Sequence, residues 1–176
     1  MRLTAKILGE FLTWLVIALM VTLTTVVIVA VVYRKMGASL SWYDEVASVL
    51  LAWITYYGAA LAALKRGHIG FEDVLLALPP KARSIAVFAA EGLVLFFFAL
   101  LAWAGMEVLT VLEGMTLVSL TWVPVSVTQS IIPIGAILFI ICEILSFPDY
   151  YRDVMAGCSV EHAIMAHDAT PERDRT

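Results

Sequence analysis

Long apolar runs, separated by short groups of charged residues, make up most of this chain. The first run extends from Phe11 to Tyr33 without a charged residue, and the second from Val46 to Leu64. A helix needs about 20 apolar residues to cross the hydrocarbon core of a bilayer. The first run is also longer than the apolar region of a signal peptide, which has about 7–15 residues. Both runs are therefore interpreted as retained transmembrane helices, at about 11–33 and 46–64.

A third span is predicted at about 86–110, where an uncharged centre lies between Glu91 and Glu107. Carboxylates inside a membrane are candidates for an ion or proton path. The spacing of these two corresponds to about 24 Å along a helix, which favours two carboxylates near opposite interfaces. Glu143, in the next apolar run, is interpreted in the same way.

The fourth span is predicted at about 126–147, inside an uncharged stretch that contains Pro124 and Pro133. Ser126 and Gln129 have the spacing of a capping box, which predicts that the helix begins near Ser126. A kink is expected at Pro133, because proline removes one backbone hydrogen bond of a helix. The helix is expected to end before Pro148. The fold class is thus all-α, an integral membrane protein with four transmembrane helices.

The segments between the spans also carry patterns. An apolar periodicity predicts a short amphipathic helix at the membrane interface, in the loop between spans two and three; its residues are Phe71, Val74, Leu75 and Leu78. The loop at 113–125 is apolar, and Trp122 is expected to anchor it at the outer interface. Residues 1–150 are interpreted as the membrane domain, and the polar residues 151–176 as a disordered cytoplasmic tail.

Composition agrees with a membrane protein, and the position of charge predicts its orientation. Hydrophobic residues make up 62% of the chain and charged residues only 15%, with a mean hydropathy of +0.94. A soluble domain has about 25% charged residues. Of the 11 Lys and Arg residues, only Arg34 and Lys35 lie on one side of the predicted spans. The positive-inside rule therefore predicts that both termini and the middle loop are cytoplasmic.

The sequence lacks the residue patterns that haem binding, metal binding and enzyme catalysis would require. All three histidines, at positions 68, 162 and 167, lie outside the predicted spans, which argues against a haem. The sequence has no nucleophile–base pattern, metal-ligand spacing or phosphate-binding loop. Cys142 lies in an apolar run and is interpreted as an inert buried thiol. No enzyme activity, cofactor or metal is predicted, and the scattered basic residues argue against nucleic-acid binding.

A set of positions in and around spans two and four carries a resemblance to a known family. These positions are Trp42, Glu45, Trp53, Gly58, Ala59, Gly67, His68, Pro133 and Gly135. The pattern resembles the small membrane subunit of tripartite ATP-independent periplasmic (TRAP) transporters, over about residues 10–148. It departs from relatives where Val46, Ala47 and Ser48 replace a basic residue, and where the acidic pair after His68 is displaced.

The resemblance implies the small permease subunit of a sodium-coupled secondary transporter that imports an organic anion, such as a carboxylate. Such a subunit binds the large membrane subunit and extends its scaffold without holding substrate. A periplasmic substrate-binding protein is a transient partner, and the loop at 113–125 is a candidate contact for it. The location is the cell inner membrane, and the nine positions above are expected at the large-subunit interface or in the family motif.

Two alternatives remain at the level of sequence. The chain could be a stand-alone four-helix transporter of the small multidrug type, which depends on a glutamate well inside its first span. Glu10 lies at the edge of the first span instead. The chain could also be a scaffold subunit of an unrelated membrane complex.

Overall fold

The structure, a computed structural model, describes residues 2–38, 40–65 and 79–156. Five α-helices lie within these ranges. They are α1 (Arg2–Lys35), α2 (Tyr43–Leu64), α3 (Pro80–Val111), α4 (Val125–Gln129) and α5 (Ile131–Ala156). Within these ranges, four helical segments are long and apolar enough to cross a membrane. The predicted all-α, four-span fold class is confirmed. The predicted amphipathic helix at 71–78, Gly67, His68 and most of the polar tail lie outside the described residues.

The first and third helices extend beyond the apolar runs from which they were predicted. Helix α1 has 34 residues, which corresponds to about 51 Å at 1.5 Å per residue, against about 30 Å of hydrocarbon core. Its first nine residues therefore project past the predicted span. Helix α3 begins at Pro80, since proline is favoured in the first helical turn, where its missing N–H has no helical partner.

The fourth predicted span is broken at Ser130. Because Pro133 has no N–H for the carbonyl of Gln129, and its ring crowds that carbonyl, the break lies one turn before the proline. The capping interaction predicted for Ser126 is wrong, because α4 has Pro124 at its N-cap and no side-chain cap. The predicted end before Pro148 is also wrong, since α5 continues through it to Ala156.

The four long helices form an open row rather than a closed bundle. Helix α1 packs on α2, α2 on α5, and α5 on α3. Helix α1 touches α5 only slightly, and the described parts of α1 and α3 have no extensive contact. Helices α2 and α5 are therefore the two inner helices of the row, each with neighbours on two sides. Large faces of α1 and α3 have no partner from the described chain.

The core lies where α1, α2 and α5 meet. Leu12, Ala60, Ala63 and Cys142 are fully buried there, and Phe139 nearly so. The small side chains of α2 bring its backbone close to α5, and the Ser146 hydroxyl donates a hydrogen bond to the Ala63 carbonyl across a distance of 3.2 Å. The Phe98 and Phe139 rings stack with centroids 3.7 Å apart and join α3 to the row.

Candidate functional site

Glu45 holds the apolar loop that connects α3 to α4. This loop folds back on itself, with backbone hydrogen bonds from Leu117 to Val123 and from Val125 to Met115. One carboxylate oxygen of Glu45 accepts the Val118 N–H at 3.0 Å, and the other accepts the Ser119 N–H at 2.8 Å. The Ser119 hydroxyl also donates to the Ser41 carbonyl at 3.1 Å. The loop tip is therefore fixed to the beginning of α2.

The bidentate contact of Glu45 predicts that Glu45→Gln loosens the loop. A glutamine presents one oxygen acceptor, while its NH2 group can only donate, so one of the two N–H groups loses its partner. Amide hydrogen exchange at Val118 and Ser119 should become several-fold faster. Asp44→Asn removes the neighbouring carboxylate and should leave both exchange rates unchanged. Equal exchange in the wild type and the Glu45 variant would show that the contact does not order the loop.

Trp53 joins α2 to the short helix α4. Its indole N–H donates to the Thr128 carbonyl at 3.1 Å, and its ring meets Tyr57 edge-on with centroids 6.3 Å apart. Thr128 is buried, and its hydroxyl donates to the Val125 carbonyl at 2.8 Å. The helical hydrogen bonds of the fourth span are interrupted where α4 ends. The hydrogen bond from Trp53 therefore helps to hold α4 in place.

Two glycines permit the close packing of α5 on its neighbours. A Cβ atom at Gly135 would lie 2.7 Å from the Tyr56 Cβ atom and 2.8 Å from its Cδ1 atom. A Cβ atom at Gly105 would lie 3.0 Å from the Pro133 Cδ atom. Neither position can therefore hold a larger residue unless the helices move apart. Pro133 and Gly135 thus lie within the chain's own helix packing, on opposite sides of α5.

Gly58 and Ala59 are adjacent on α2 but have different surroundings. Ala59 packs against the core formed by α1, α2 and α5. Gly58 has open space around it, because no atom outside its own turn of helix lies within 4 Å of where a Cβ would stand. Trp42, at the N-cap of α2, is half-buried. Of the motif positions that the structure describes, Gly58 is therefore the one that leaves room for another helix.

Glu143 and Glu91 line a space between two helices rather than an open face of the row. Glu143 is only 6% exposed. Both residues line one cavity of about 230 Å³ between α3 and α5, with apolar walls that include Phe88 and Phe147. Charged carboxylates are costly in such a place, so each needs compensation from its contacts. Sequence spacing within one helix could not show this meeting, because the two residues are on different helices. Glu107 is exposed.

The residues that sequence reasoning missed are mostly the partners of the motif side chains. Glu45 contacts two backbone N–H groups, and Trp53 contacts a backbone carbonyl. Backbone groups occur at every residue, so no side-chain pattern identifies these positions. Tyr56 faces Gly135 in the structure, but nothing in the sequence distinguishes it from the other residues of the second apolar run. Among the described residues, no three His, Cys, Asp or Glu side chains lie close enough to hold a metal ion.

Taken together, the described motif residues fix the loop between α3 and α4 to the beginning of α2, and they join α2 to α4 and to α5. Comparison with curated proteins gives no match. Comparison with protein families gives a match to "Tripartite ATP-independent periplasmic transporters, DctQ component" over residues 23–149, which is well over half of the chain. That range contains α2, α3 and α4, most of α5, the C-terminal third or so of α1, and every motif position. The chain therefore belongs to the DctQ component family of tripartite ATP-independent periplasmic transporters.

Proposed function

We propose that this chain is the small permease subunit of a sodium-coupled, binding-protein-dependent transporter that imports an organic anion. In this proposal it extends the scaffold of the large membrane subunit and does not hold the substrate. The family supports a role as a transporter component in the inner membrane, together with other components of the system. The open row of four helices is the observation that supports a scaffold, because a row presents two broad faces to neighbours.

The contact surface that we propose for the large subunit is the face of α2 that carries Gly58. Leu51 and Thr55 on this face are exposed, and Ala62 follows Gly58 by four residues. Small residues four apart let a second helix approach closely, and in lipid such packing and hydrogen bonding replace the hydrophobic driving force. Gly58 has room for such a neighbour. The other motif residues support this face indirectly, since they fix α2 to α4 and α5.

The same arrangement suggests how the loop at 113–125 contributes. Glu45 fixes the tip at Val118 and Ser119, and the side chains of Val118 and Trp122 are 88% and 79% exposed. The excess of Lys and Arg at the other end of the helices supports a periplasmic position for this loop, with both termini cytoplasmic. We propose that the loop presents these two apolar side chains to the periplasmic binding protein.

The two alternative functions receive less support. A small multidrug-type transporter needs a glutamate inside its first span, whereas Glu10 is exposed and precedes the predicted start of that span. Family membership argues against a scaffold for an unrelated complex. It also argues for a transporter component and against an enzyme.

Co-purification tests the proposed role directly. An affinity tag on this chain should bring down a large polytopic membrane subunit when both genes are expressed together. Deleting this chain should abolish uptake of the organic anion by whole cells, and restoring it on a plasmid should recover uptake. Full uptake without the chain, or solute transport by the purified chain alone, would contradict the scaffold role.

A further inference from the structure

A charged cleft lies between the N-terminal part of α1, the end of α2 and the C-terminal part of α5. Its volume is about 860 Å³, which falls in the range of roughly 300–1,000 Å³ typical of sites for small organic ligands. Its lining contains three basic side chains and two acidic ones: Lys6, Lys65, Arg152, Glu10 and Asp149. The lining therefore has a formal net charge of +1.

The position of these residues along the helices places the cleft at a membrane surface. Lys6 and Glu10 precede the predicted start of the first span at residue 11, and Lys65 directly follows α2. Asp149 and Arg152 follow the predicted end of the fourth span at residue 147. All five charged groups thus lie just beyond the apolar parts of their helices. Trp14, which is 72% exposed, also lines the cleft, as expected of an aromatic residue near headgroup depth.

The two lysines carry positive charge that the described residues of the chain do not neutralise. Arg152 forms a salt bridge of 3.5 Å with Asp149, one helical turn earlier. Among the described residues, no acidic group lies within salt-bridge distance of the Lys6 or Lys65 ammonium. Both ammonium groups belong to exposed residues that line the same cleft. A ligand with one negative charge and several oxygen acceptors would match them.

We propose that this cleft binds the headgroup of an anionic phospholipid, with Lys6 and Lys65 contacting its phosphate. This inference goes beyond the proposed transporter role and concerns a different surface from the Gly58 face. Basic pockets between transmembrane helices on the cytoplasmic side are known to bind anionic headgroups. Leu64, Leu145 and Pro148 give the cleft an apolar wall, which suits the glycerol and upper acyl chain. A free phosphate ion would leave that wall unused.

Native mass spectrometry of the full-length chain in detergent tests this proposal. The probes are dioleoyl phosphatidylglycerol, dioleoyl phosphatidylcholine and inorganic phosphate. We expect retained adducts of phosphatidylglycerol, few of phosphatidylcholine, and little displacement by inorganic phosphate at equal concentration. The double variant Lys6→Gln/Lys65→Gln should bind phosphatidylglycerol roughly 30-fold more weakly, from the loss of two Lys–phosphate attractions. The conservative variant Lys6→Arg/Lys65→Arg should retain binding.

A matched control removes two positive charges at the other end of α1. Arg34→Gln/Lys35→Gln should bind phosphatidylglycerol as the wild type does, because these residues lie in the last turn of α1, far from the cleft. Equal loss in both glutamine variants would overturn the site, as would equal retention of the two lipids. Complete displacement by inorganic phosphate would also overturn a lipid site. So would carbodiimide crosslinking of Lys6 to the Glu72-Asp73 peptide, since the chain would then cover its own cleft.

Discussion

Gly135→Ala is expected to destabilise the folded chain, because the new Cβ atom would lie 2.7 Å from the Tyr56 Cβ atom. Overpacking of this kind lowers the free energy of unfolding by about 1–3 kcal/mol. The backbone fixes the position of the Tyr56 Cβ atom, so a rotamer change cannot relieve this contact. Helices α2 and α5 must therefore separate, which weakens the core around Ala60, Ala63 and Cys142. Unfolding of the purified chain by denaturing detergent measures the effect.

Gly58→Ala is the matched control for this prediction. It makes the same chemical change in a neighbouring helix, but at a position with open space around it. Alanine is more favourable than glycine in a helix by about 1 kcal/mol, so this variant should be as stable as the wild type or slightly more so. If both variants unfold at the same detergent concentration, the close approach of α2 and α5 at Gly135 is wrong.

Gly58→Leu is expected to separate the chain from its large subunit without unfolding it. A leucine at this position would fill the space that the proposed neighbouring helix occupies, and small-residue helix contacts tolerate little added volume. The chain alone has no described atom within 4 Å there, so its own packing should survive. Recovery of the large subunit through a tag on this chain should fall to background, while the yield of the tagged chain is maintained.

Gly92→Leu provides the comparison for this experiment. Gly92 lies on α3, is exposed, and also has no described neighbour within 4 Å of where a Cβ would stand. Its replacement adds the same volume to a face that we do not assign to the large subunit, so co-purification should persist. Loss of the large subunit with Gly92→Leu and its retention with Gly58→Leu would move the interface from α2 to α3.

The prolines show where local rules succeed and where they do not. Pro133 predicts a disturbance of the fourth span, and the helix does break one turn earlier, at the carbonyl that the proline cannot satisfy. Pro148 by the same rule predicts an end to the helix, yet α5 continues through it. Contacts with α3 surround that region, since Phe147 and Tyr151 pack against Phe88. Tertiary packing there outweighs the lost backbone hydrogen bond.

The motif residues show a similar division. Sequence identifies Glu45 and Trp53 as notable, because a carboxylate at a helix start and an aromatic two turns later form part of a family pattern. It does not indicate what they contact. The structure pairs them with backbone groups of Val118, Ser119 and Thr128, more than 70 residues away. Both residues therefore serve the chain's own fold, because they hold the loop and the short helix α4 against α2.

The sequence by itself determined that four apolar helices cross a membrane, because hydrocarbon thickness sets a length that hydropathy can measure. It also pointed to the transporter family, through residues that lie mostly within the second span and at its ends. Only the tertiary structure decided that the helices form the row α1, α2, α5, α3. In lipid no hydrophobic force selects which helices meet. Close steric fits such as Gly135 on Tyr56 select them, and these depend on residues distant in the chain.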